Sequence, residues 1–315
     1  MAVARQERLT LEVVARRQLA RDIVEFTLAP PDGGALEPFA PGAHITVETP
    51  SGAMRRYSLV NDGAAPGTYV IAIKREAASR GGSASMHDQA TVGTRLAVEP
   101  PANDFPLVEA PGHLLIAGGI GITPILSMAR WLHARGRRFG LIYLTRSPEE
   151  AAYLDECRAF PGAIIHHDGG RPERFYDFWP HFETPRPEHV YCCGPRPLME
   201  EIKAVSGHWP EGRIHFEDFA PVEVVRPDDR PFTLVLARSG RELQVPADLS
   251  ILETLRAAGL KPLSSCESGT CGTCRTRLLA GEADHRDLFL REEDRRDNIM
   301  ICVSRARSEK LVVDL

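Results

Sequence analysis

The sequence lacks the features that would place the protein in a membrane or on nucleic acid. No apolar run approaches the ~18 residues of a membrane span, and the net charge is −5 rather than basic. A basic excess is the usual electrostatic signature of nucleic-acid binding. The stretch Met1–Leu9 has scattered charges and no apolar core, so we expect no export signal and a cytoplasmic location.

Internal repeats and low-complexity tracts are also absent, and cysteine is scarce, with seven in 315 residues. So few thiols in a chain of this length do not fit the dense disulfide framework of a small secreted domain. The length, with 43% hydrophobic and 26% charged residues, predicts a globular protein of two or three domains.

Four of the cysteines form a pattern. Cys266, Cys271 and Cys274 have the spacing C-x4-C-x2-C, and Cys302 follows further along the chain. Four thiolates at this spacing are the ligand set of a plant-type [2Fe–2S] cluster, and the small residues between them let a loop wrap closely around it. A zinc ribbon is the alternative, but it usually pairs two short C-x2-C knuckles, and only one is present.

Residues 1–107 have the pattern of an antiparallel β-barrel. Short apolar or alternating runs are separated by Gly- and Pro-rich turns, which is typical of strands in a closed sheet. The predicted strands are Leu11–Val14, Ile23–Leu28, Ile45–Glu48, Tyr57–Val60, Tyr69–Ile73 and Arg95–Val98.

Residues 108–222 change to short apolar runs that alternate with helical patterns. This order predicts βαβ units and an α/β domain whose parallel sheet is covered on both faces. The predicted strands are Leu114–Ala117, Leu141–Leu144, Ala163–His166, Val190–Cys192 and Ile214–Phe216, and the clearest helices are Pro124–Ala134 and Pro197–Val205.

Residues 223–231 predict an exposed linker, and residues 232–315 predict a third, compact α+β domain of ferredoxin size. Ser250 and Glu253 have the spacing of a capping box, which opens a short helix ending near Gly259. The predicted strands are the hairpin Phe232–Leu236 and Glu242–Val245, followed by Ile299–Val303 and Leu311–Val313.

Gly-rich turns follow two of the predicted parallel strands. Leu114–Ala117 leads into Gly118–Pro124, where a pyrophosphate can lie against a helix N-terminus. The spacing departs from the Rossmann G-x-G-x-x-G, so tight packing alone is the competing interpretation.

The strand Val190–Cys192 leads into the second turn, Cys193-Gly194-Pro195, where a ligand can approach the backbone. A catalytic thiol at Cys193 is one interpretation, but no obvious His–acid pair accompanies it, which favours packing or cofactor contact. Cys157 and Cys192 are expected to be buried packing residues.

In the barrel segment, Arg55–Leu59 places cations, an aromatic ring and a hydroxyl on one strand. A flavin needs such groups for its ring, its edge and its phosphate. Arg80–Ser83 precedes a predicted helix, which is an anion-binding arrangement. Taken singly, each segment is also explained as an exposed turn with solvated arginines.

Together, the motifs R-x-Y-S, G-G-I-G-I-T-P, C-G-P-x-x-L-M and C-x4-C-x2-C resemble the phthalate dioxygenase reductase family, in that family's order and over essentially the whole chain. These proteins are reductase components of two-component Rieske oxygenases and include vanillate O-demethylase reductases. The resemblance implies an FMN-binding barrel, an NAD-binding α/β domain and a C-terminal β-grasp [2Fe–2S] ferredoxin domain.

For the barrel, the resemblance implies FMN binding, with Tyr57 on the isoalloxazine and Ser58 near flavin N5. The matching positions are Arg55, Tyr57, Ser58 and Leu59 on the motif strand, Ala72, Ile73 and Lys74 at the other flavin edge, and Gly81, Gly82 and Ser83 at the phosphate. The domain shows no obvious accommodation for an adenosine half, which favours FMN over FAD.

For the second domain, the resemblance implies that nicotinamide C4 is placed against the flavin. The matching positions are Gly119, Gly121, Ile122, Thr123 and Pro124 in the first turn, with Thr123 near the flavin ring, Cys193, Gly194, Pro195 and Met199 in the second, and Phe219, an aromatic that covers the flavin face until nicotinamide displaces it. Ser58, Thr123 and Cys193 are thus the candidate catalytic residues.

The choice of nucleotide depends on charge. Asp168, after the third parallel strand, would repel a 2′-phosphate, whereas Arg146, after the second, could pair with one. The carboxylate and the family's usual preference favour NADH.

The implied activity is electron transfer from NADH through FMN to the cluster, and then to the Rieske centre of a separate oxygenase. Docking is expected to be transient and the protein monomeric, with charge at Glu267, Arg275 and Arg277 setting the association rate. Two alternatives are a stand-alone NADH oxidoreductase for a soluble acceptor and a non-catalytic redox sensor; the intact nicotinamide motifs argue against the sensor.

Overall fold

The computed structural model describes residues 8–76, 81–219, 226, 228–264, 269–270 and 272–315. Contacts between residues divide the chain into two compact units. The first unit comprises Met1–Pro195 with Trp209–Ile214, and the second comprises Arg196–His208 with His215–Leu315. In the described part of the chain, no helix combines the length and the hydropathy needed to cross a membrane.

The first unit begins with an antiparallel barrel. Its strands are β1 (Leu9–Ala20), β2 (Ile23–Ala29), β3 (His44–Glu48), β4 (Met54–Ser58), β5 (Tyr69–Lys74) and β6 (Arg95–Ala102), with helix α1 (Gly82–Gln89) between β5 and β6. The sheet order is β4-β3-β6-β1-β2-β5. Just beyond β4, Leu59 pairs with Ile71 of β5, so the two edge strands meet and the sheet closes.

The barrel encloses an apolar core because side chains alternate along each strand. Phe26, Ile45 and Ile71, from three different strands, have no exposed surface. The sequence predicted each of these strands, although β4 begins at Met54, three residues before the predicted Tyr57. The prediction began too late because Arg55 and Arg56 are charged and gave no strand signal, although Met54–Arg56 pair with β3.

The rest of the first unit carries a parallel sheet. Its strands are β7 (His113–Gly118), β8 (Phe139–Thr145), β9 (Ile164–His167), β10 (His189–Cys193) and β11 (Ile214–Glu217), of which the last contributes only Ile214 to this unit. Its helices are α2 (Ile122–Ala134), α3 (Leu154–Ala159) and α4 (Trp179–Phe182). The order is β11-β10-β7-β8-β9. Strand β7 lies at the centre, so its carboxyl end, followed by α2, is the point where the strand order reverses.

The second unit contains helix α5 (Arg196–Val205), β12 (Phe232–Leu236), β13 (Glu242–Val245), α6 (Ile251–Ala257), β14 (Arg275–Ala280), β15 (Ala283–Asp284), β16 (Asn298–Met300), β17 (Arg305–Ala306) and β18 (Lys310–Val313). Its main sheet has the order β13-β12-β18-β14-β16, with β12 and β18 parallel. This mixed sheet packed with one capped helix confirms the predicted β-grasp fold.

The predicted capping box is present at the start of α6. The Ser250 hydroxyl accepts a hydrogen bond from the Glu253 backbone N–H at 3.0 Å, and the Glu253 carboxylate accepts one from the Ser250 N–H at 2.8 Å. Strand β14 was not predicted, because only Thr276 and Leu278 turn inward while the residues between them are exposed. So weak an apolar signal does not distinguish a strand from a loop.

Candidate active site and cluster ligands

Two hydroxyls on the flavin-motif strand are buried without partners. Tyr57 Oη and Ser58 Oγ, at the end of β4, have no hydrogen-bond partner among the described residues. Burial raises the pKa of Tyr57 to about 12, although Arg55 acts in the opposite direction. The phenol is therefore neutral and able to donate. Because an unsatisfied buried hydroxyl costs about 1–3 kcal/mol, the two atoms fit a polar ligand such as the edge of a flavin ring.

An anion site lies at the start of α1. Gly81 precedes the helix at φ 95°, and a Cβ on Gly82 would stand 2.8 Å from Nε of Arg55. The guanidinium thus lies directly against the helix N-terminus, where free N–H groups and the helix dipole favour negative charge. The predicted phosphate residues Arg55, Gly81 and Gly82 come together here, and this cradle fits the FMN phosphate. The Ser83 hydroxyl is already an acceptor for the Glu76 N–H, at 3.1 Å.

The other predicted flavin residues differ in exposure. Leu59 and Ile73 have buried side chains in the barrel core, and Ala72 is buried in the core around α2. Only Lys74 has a solvent-accessible side chain, 43% exposed. Lining of the flavin by Leu59, Ala72 and Ile73 through their backbones, and by Lys74 through its ammonium, stays a prediction.

The two Gly-rich turns of the parallel sheet pack against each other. A Cβ on Gly121 would lie 2.2 Å from the carbonyl oxygen of Cys193 and 2.8 Å from the nitrogen of Gly194. Glycine at 121 is therefore required for this close approach, which brings together motifs that are more than 70 residues apart in the chain. Cys193 is buried at the end of β10, which agrees with packing or cofactor contact better than with a nucleophile.

Around this junction the other predicted nucleotide residues take ordinary helix and turn positions. Gly119 has φ 55°, Ile122 and Pro124 lie buried in the first turn of α2, and the Thr123 hydroxyl donates to the Ile120 carbonyl at 3.1 Å. Pro195 is exposed directly after the second turn.

The loops after β8 and β9 contact each other. Arg146 is exposed, and its carbonyl accepts the Gly169 N–H at 2.9 Å. The Asp168 carboxylate accepts the Gly170 N–H at 2.6 Å, so it is held in its own turn. No sequence motif marked Arg171 and Arg174, whose guanidinium nitrogens lie 3.8 and 3.7 Å from where a Gly169 Cβ would stand.

In the second unit, Cys274 and Cys302 are buried, and their sulfurs lie 3.0 Å apart, within hydrogen-bond distance. A disulfide needs about 2.05 Å, so the two sulfurs do not form one. The predicted ligands Cys266 and Cys271 lie outside the described residues. Met199 is buried in α5, and Phe219 is 42% exposed.

A segment without any sequence motif supports the cluster loop. Gly269 (φ 77°) and Gly272 (φ 81°) have Asp287 and Phe289 packed against them, since added Cβ atoms would meet these side chains at 3.1 and 2.3 Å. The Leu288 N–H also donates to the Gly269 carbonyl at 3.1 Å. Small residues in the loop therefore permit its close packing, and two of the four predicted thiolates already converge, which fits a [2Fe–2S] cluster.

A partnerless pair of hydroxyls beside an anion cradle, a nucleotide-type sheet and a cysteine-ligated module together define an iron–sulfur flavoprotein oxidoreductase. Residues 234–307 match the 2Fe-2S iron-sulfur cluster binding domain. The chain is 49% identical to phthalate dioxygenase reductase of Burkholderia cepacia (98% of this chain, 97% of the relative). It is 51% identical to the phthalate 4,5-dioxygenase oxygenase reductase subunit of Pseudomonas putida (97% and 96%).

The fold agrees with a solved structure titled phthalate dioxygenase reductase, a modular structure for electron transfer from pyridine nucleotides to [2Fe-2S]. The TM-score is 0.68, at 48% identity over 98% of both chains. The chain belongs to the phthalate dioxygenase reductase family. It is an NADH-dependent reductase that uses FMN and a [2Fe–2S] cluster to supply electrons to an oxygenase.

Proposed function

We propose that NADH reduces the flavin at a site formed by the barrel motif strand, with its two unsatisfied hydroxyls, and the two Gly-rich turns of the first unit. The observation that carries this proposal is the pair of buried, partnerless hydroxyls of Tyr57 and Ser58. FMN, when bound, supplies the conversion of a two-electron donor into single electrons.

The chain's own residues bind and orient in this proposal. Arg55 and the N–H groups at the start of α1 hold the phosphate, Tyr57 donates its hydroxyl to the flavin, and Ser58 donates to N5. The close contact between Gly121 and Cys193 shapes the floor on which the nicotinamide rests, with Thr123 buried beside it. Asp168 disfavours a 2′-phosphate, so NADH is preferred over NADPH.

The finer assignments form part of the same proposal. The flavin domain spans residues 1–107, the nicotinamide domain 108–222, the linker 223–231 and the ferredoxin domain 232–315. The four ligands are Cys266, Cys271, Cys274 and Cys302, and Phe219 covers the flavin. The chain works as a cytoplasmic monomer that docks transiently on the oxygenase, whose Rieske centre receives the electrons.

An anaerobic titration of the purified holoprotein tests this function. Iron, sulfide and released flavin are assayed, and absorbance is followed during addition of NADH and then NADPH. We expect FMN, about two irons per chain, and bleaching of both centres by NADH. A cluster-containing protein whose centres stay oxidised with NADH would instead favour a redox sensor.

A pair of variants tests whether the buried Ser58 hydroxyl takes part in flavin reduction. Ser58→Ala removes only the hydroxyl and should slow flavin reduction by NADH about 100–1,000-fold, as loss of one group that acts on the transferring atom does. Thr10→Ala, at an exposed position of β1, is the hydroxyl control and should keep the wild-type rate. Equal rates for Ser58→Ala and the wild type would remove Ser58 from the proposal.

A further inference from the structure

Within the first unit, five side chains form a connected network where the barrel meets the parallel sheet. None of the five belongs to one of the sequence motifs. We call the network the interdomain clamp: Arg17 and Glu25 on β1 and β2, Arg130 on α2, and Tyr153 and Glu156 at α3. It links elements that are distant in sequence, so its partners are specified only by the tertiary fold.

Arg130 joins the helix of the first Gly-rich turn to the flavin-motif segment. Its guanidinium makes a bidentate pair with Glu156, with both distances 2.7 Å, and also donates to the carbonyl of Val60. Val60 lies two residues after Ser58, and α2 begins directly after Gly121. The planar guanidinium of Arg130 thus connects the helix that follows the nicotinamide turn to the segment that follows the flavin strand. A lysine ammonium cannot reproduce this bidentate geometry.

Tyr153 supplies the second connection. Its hydroxyl donates to Glu25 Oε2 at 2.8 Å, and the Arg130 guanidinium lies 5.4 Å from its ring centroid. Arg17 holds the Glu25 carboxylate from the other side, at 3.0 and 3.1 Å. Burial, followed by the charge of Glu25, raises the pKa of Tyr153, so the phenol remains a neutral donor.

The backbone at Tyr153 is strained. Among the described residues it is the one non-glycine residue in the left-handed region, at φ 56°. Such a conformation is unfavourable for a bulky residue and persists where the surroundings enforce it, often at functional sites. The surroundings here are the clamp and the core in which Ile23 and Val60 of the barrel pack with Ala129 of α2.

We propose that Arg130 and Tyr153 are positioning residues for flavin reduction: the clamp holds the nicotinamide turn and the flavin-motif strand at the separation that hydride transfer requires. This inference rests on the proposed function of the two motifs. It goes beyond that function because it assigns the transfer geometry to residues outside both motifs. Residues outside the motifs can matter in this way because the rate of hydride transfer depends steeply on distance. A displacement of the reacting groups by about 1 Å can lower the rate about a hundredfold.

The test uses holoprotein carrying Arg130→Lys, which keeps the charge but loses the fork, and Tyr153→Phe, which keeps the ring but loses the hydroxyl. Stopped-flow reduction by NADH gives a limiting rate and a half-saturating NADH concentration. We expect the limiting rate to fall about 10–100-fold in Arg130→Lys and about threefold to tenfold in Tyr153→Phe. The half-saturating NADH concentration should change less than about twofold, because neither residue belongs to the nucleotide motifs.

A second readout is independent of turnover. Amide hydrogen exchange at Leu59 and Val60, which donate to the Ala43 and Val70 carbonyls, should accelerate in Arg130→Lys even in flavin-free protein. The matched control is Arg238→Lys, because Arg238 and Asp314 form an exposed bidentate pair at 2.8 and 3.2 Å in the second unit. That variant should retain the wild-type limiting rate and exchange.

Two results would overturn the clamp proposal. One is a wild-type limiting rate in both variants. The other is a rate that falls only in proportion to lost FMN or lost folded protein, which indicates a merely structural role. These failures are distinguishable from failure of the proposed function, in which NADH would not reduce the wild-type flavin at all.

Discussion

The two units organise their redox sites in opposite ways. In the first, the candidate site is assembled from short segments far apart in the chain, such as Tyr57-Ser58, Gly121 and Cys193, and its groups act through hydrogen bonds and close packing. In the second, three of the four predicted ligands lie within nine residues, Cys266 to Cys274, and would act through metal–sulfur bonds. A redox site held by strong, directional metal–sulfur bonds needs few residues, whereas a site built from weak hydrogen bonds and packing contacts needs many.

The largest effect should come from removing one cluster ligand. Cys302→Ser should abolish [2Fe–2S] incorporation and electron delivery to the oxygenase while FMN is still reduced by NADH, because the first unit has its own core. Iron and sulfide assays with NADH titration measure both. Cys157→Ala, a buried thiol in the first unit, is the control and should keep its iron. A Cys302→Ser protein with the full iron content would show that Cys302 is not a required cluster ligand, contrary to the contrast drawn between the two units.

The converse experiment alters close packing in the first unit. Gly121→Ala places a Cβ 2.2 Å from the Cys193 carbonyl, so the two turns must separate and flavin reduction should slow about a hundredfold. Gly140→Ala is the matched control, since its added Cβ meets only a Leu114 methyl at 3.5 Å. Cluster content should be unchanged in both, and an unaltered rate in Gly121→Ala would show that the turns tolerate displacement.

A smaller effect should be confined to the stability of the second unit. Ser250→Ala removes the cap of α6 and should lower the free energy of unfolding by about 1 kcal/mol. Thermal unfolding of the apoprotein followed by circular dichroism measures the change, with Ser239→Ala in the exposed turn between β12 and β13 as a comparison. Equal destabilisation of the flavin site would contradict the independence of the two units.

A further effect on the second unit appears only at alkaline pH. Burial, together with repulsion from Arg295, lowers the pKa of Lys203 from 10.5 to about 8, while its ammonium donates to the Leu290 carbonyl at 2.8 Å. Between these two values the unfolded chain binds the extra proton, so this group makes stability rise with pH from about 8 to about 10.5. Lys203→Met should flatten that rise in denaturant titrations, and an identical slope in both proteins would contradict it.

Of the predicted association charges, Glu267 lies outside the described residues, and Arg275 and Arg277 differ in their pairing. Arg275 is already paired with Asp294 at 3.0 Å and with Asn298 at 2.9 Å, whereas Arg277 is exposed. We therefore expect Arg277→Glu to alter the salt dependence of turnover with the oxygenase more than Arg275→Glu does.

Most of the secondary structure follows from local sequence patterns, so it could be predicted from the sequence. The barrel strands, the parallel strands and the capping box at Ser250 follow from apolar periodicity and cap residues, which act over a few positions. Strand β14 was not predicted because four of its six residues are exposed, and the predicted start of β4 was too late because Arg55 and Arg56 are charged.

The sequence by itself determined which residue types carry the chemistry: cysteines at a ligand spacing, glycines in turns, and Tyr57-Ser58 on a strand. Only the tertiary structure decided that Gly121 abuts Cys193, that Arg55 lies against Gly82, and that Arg130 reaches Val60. Those contacts join distant segments through packing and hydrogen bonds of ordinary residues. Such residues leave no local signal, because their partners are set by how the chain folds back on itself.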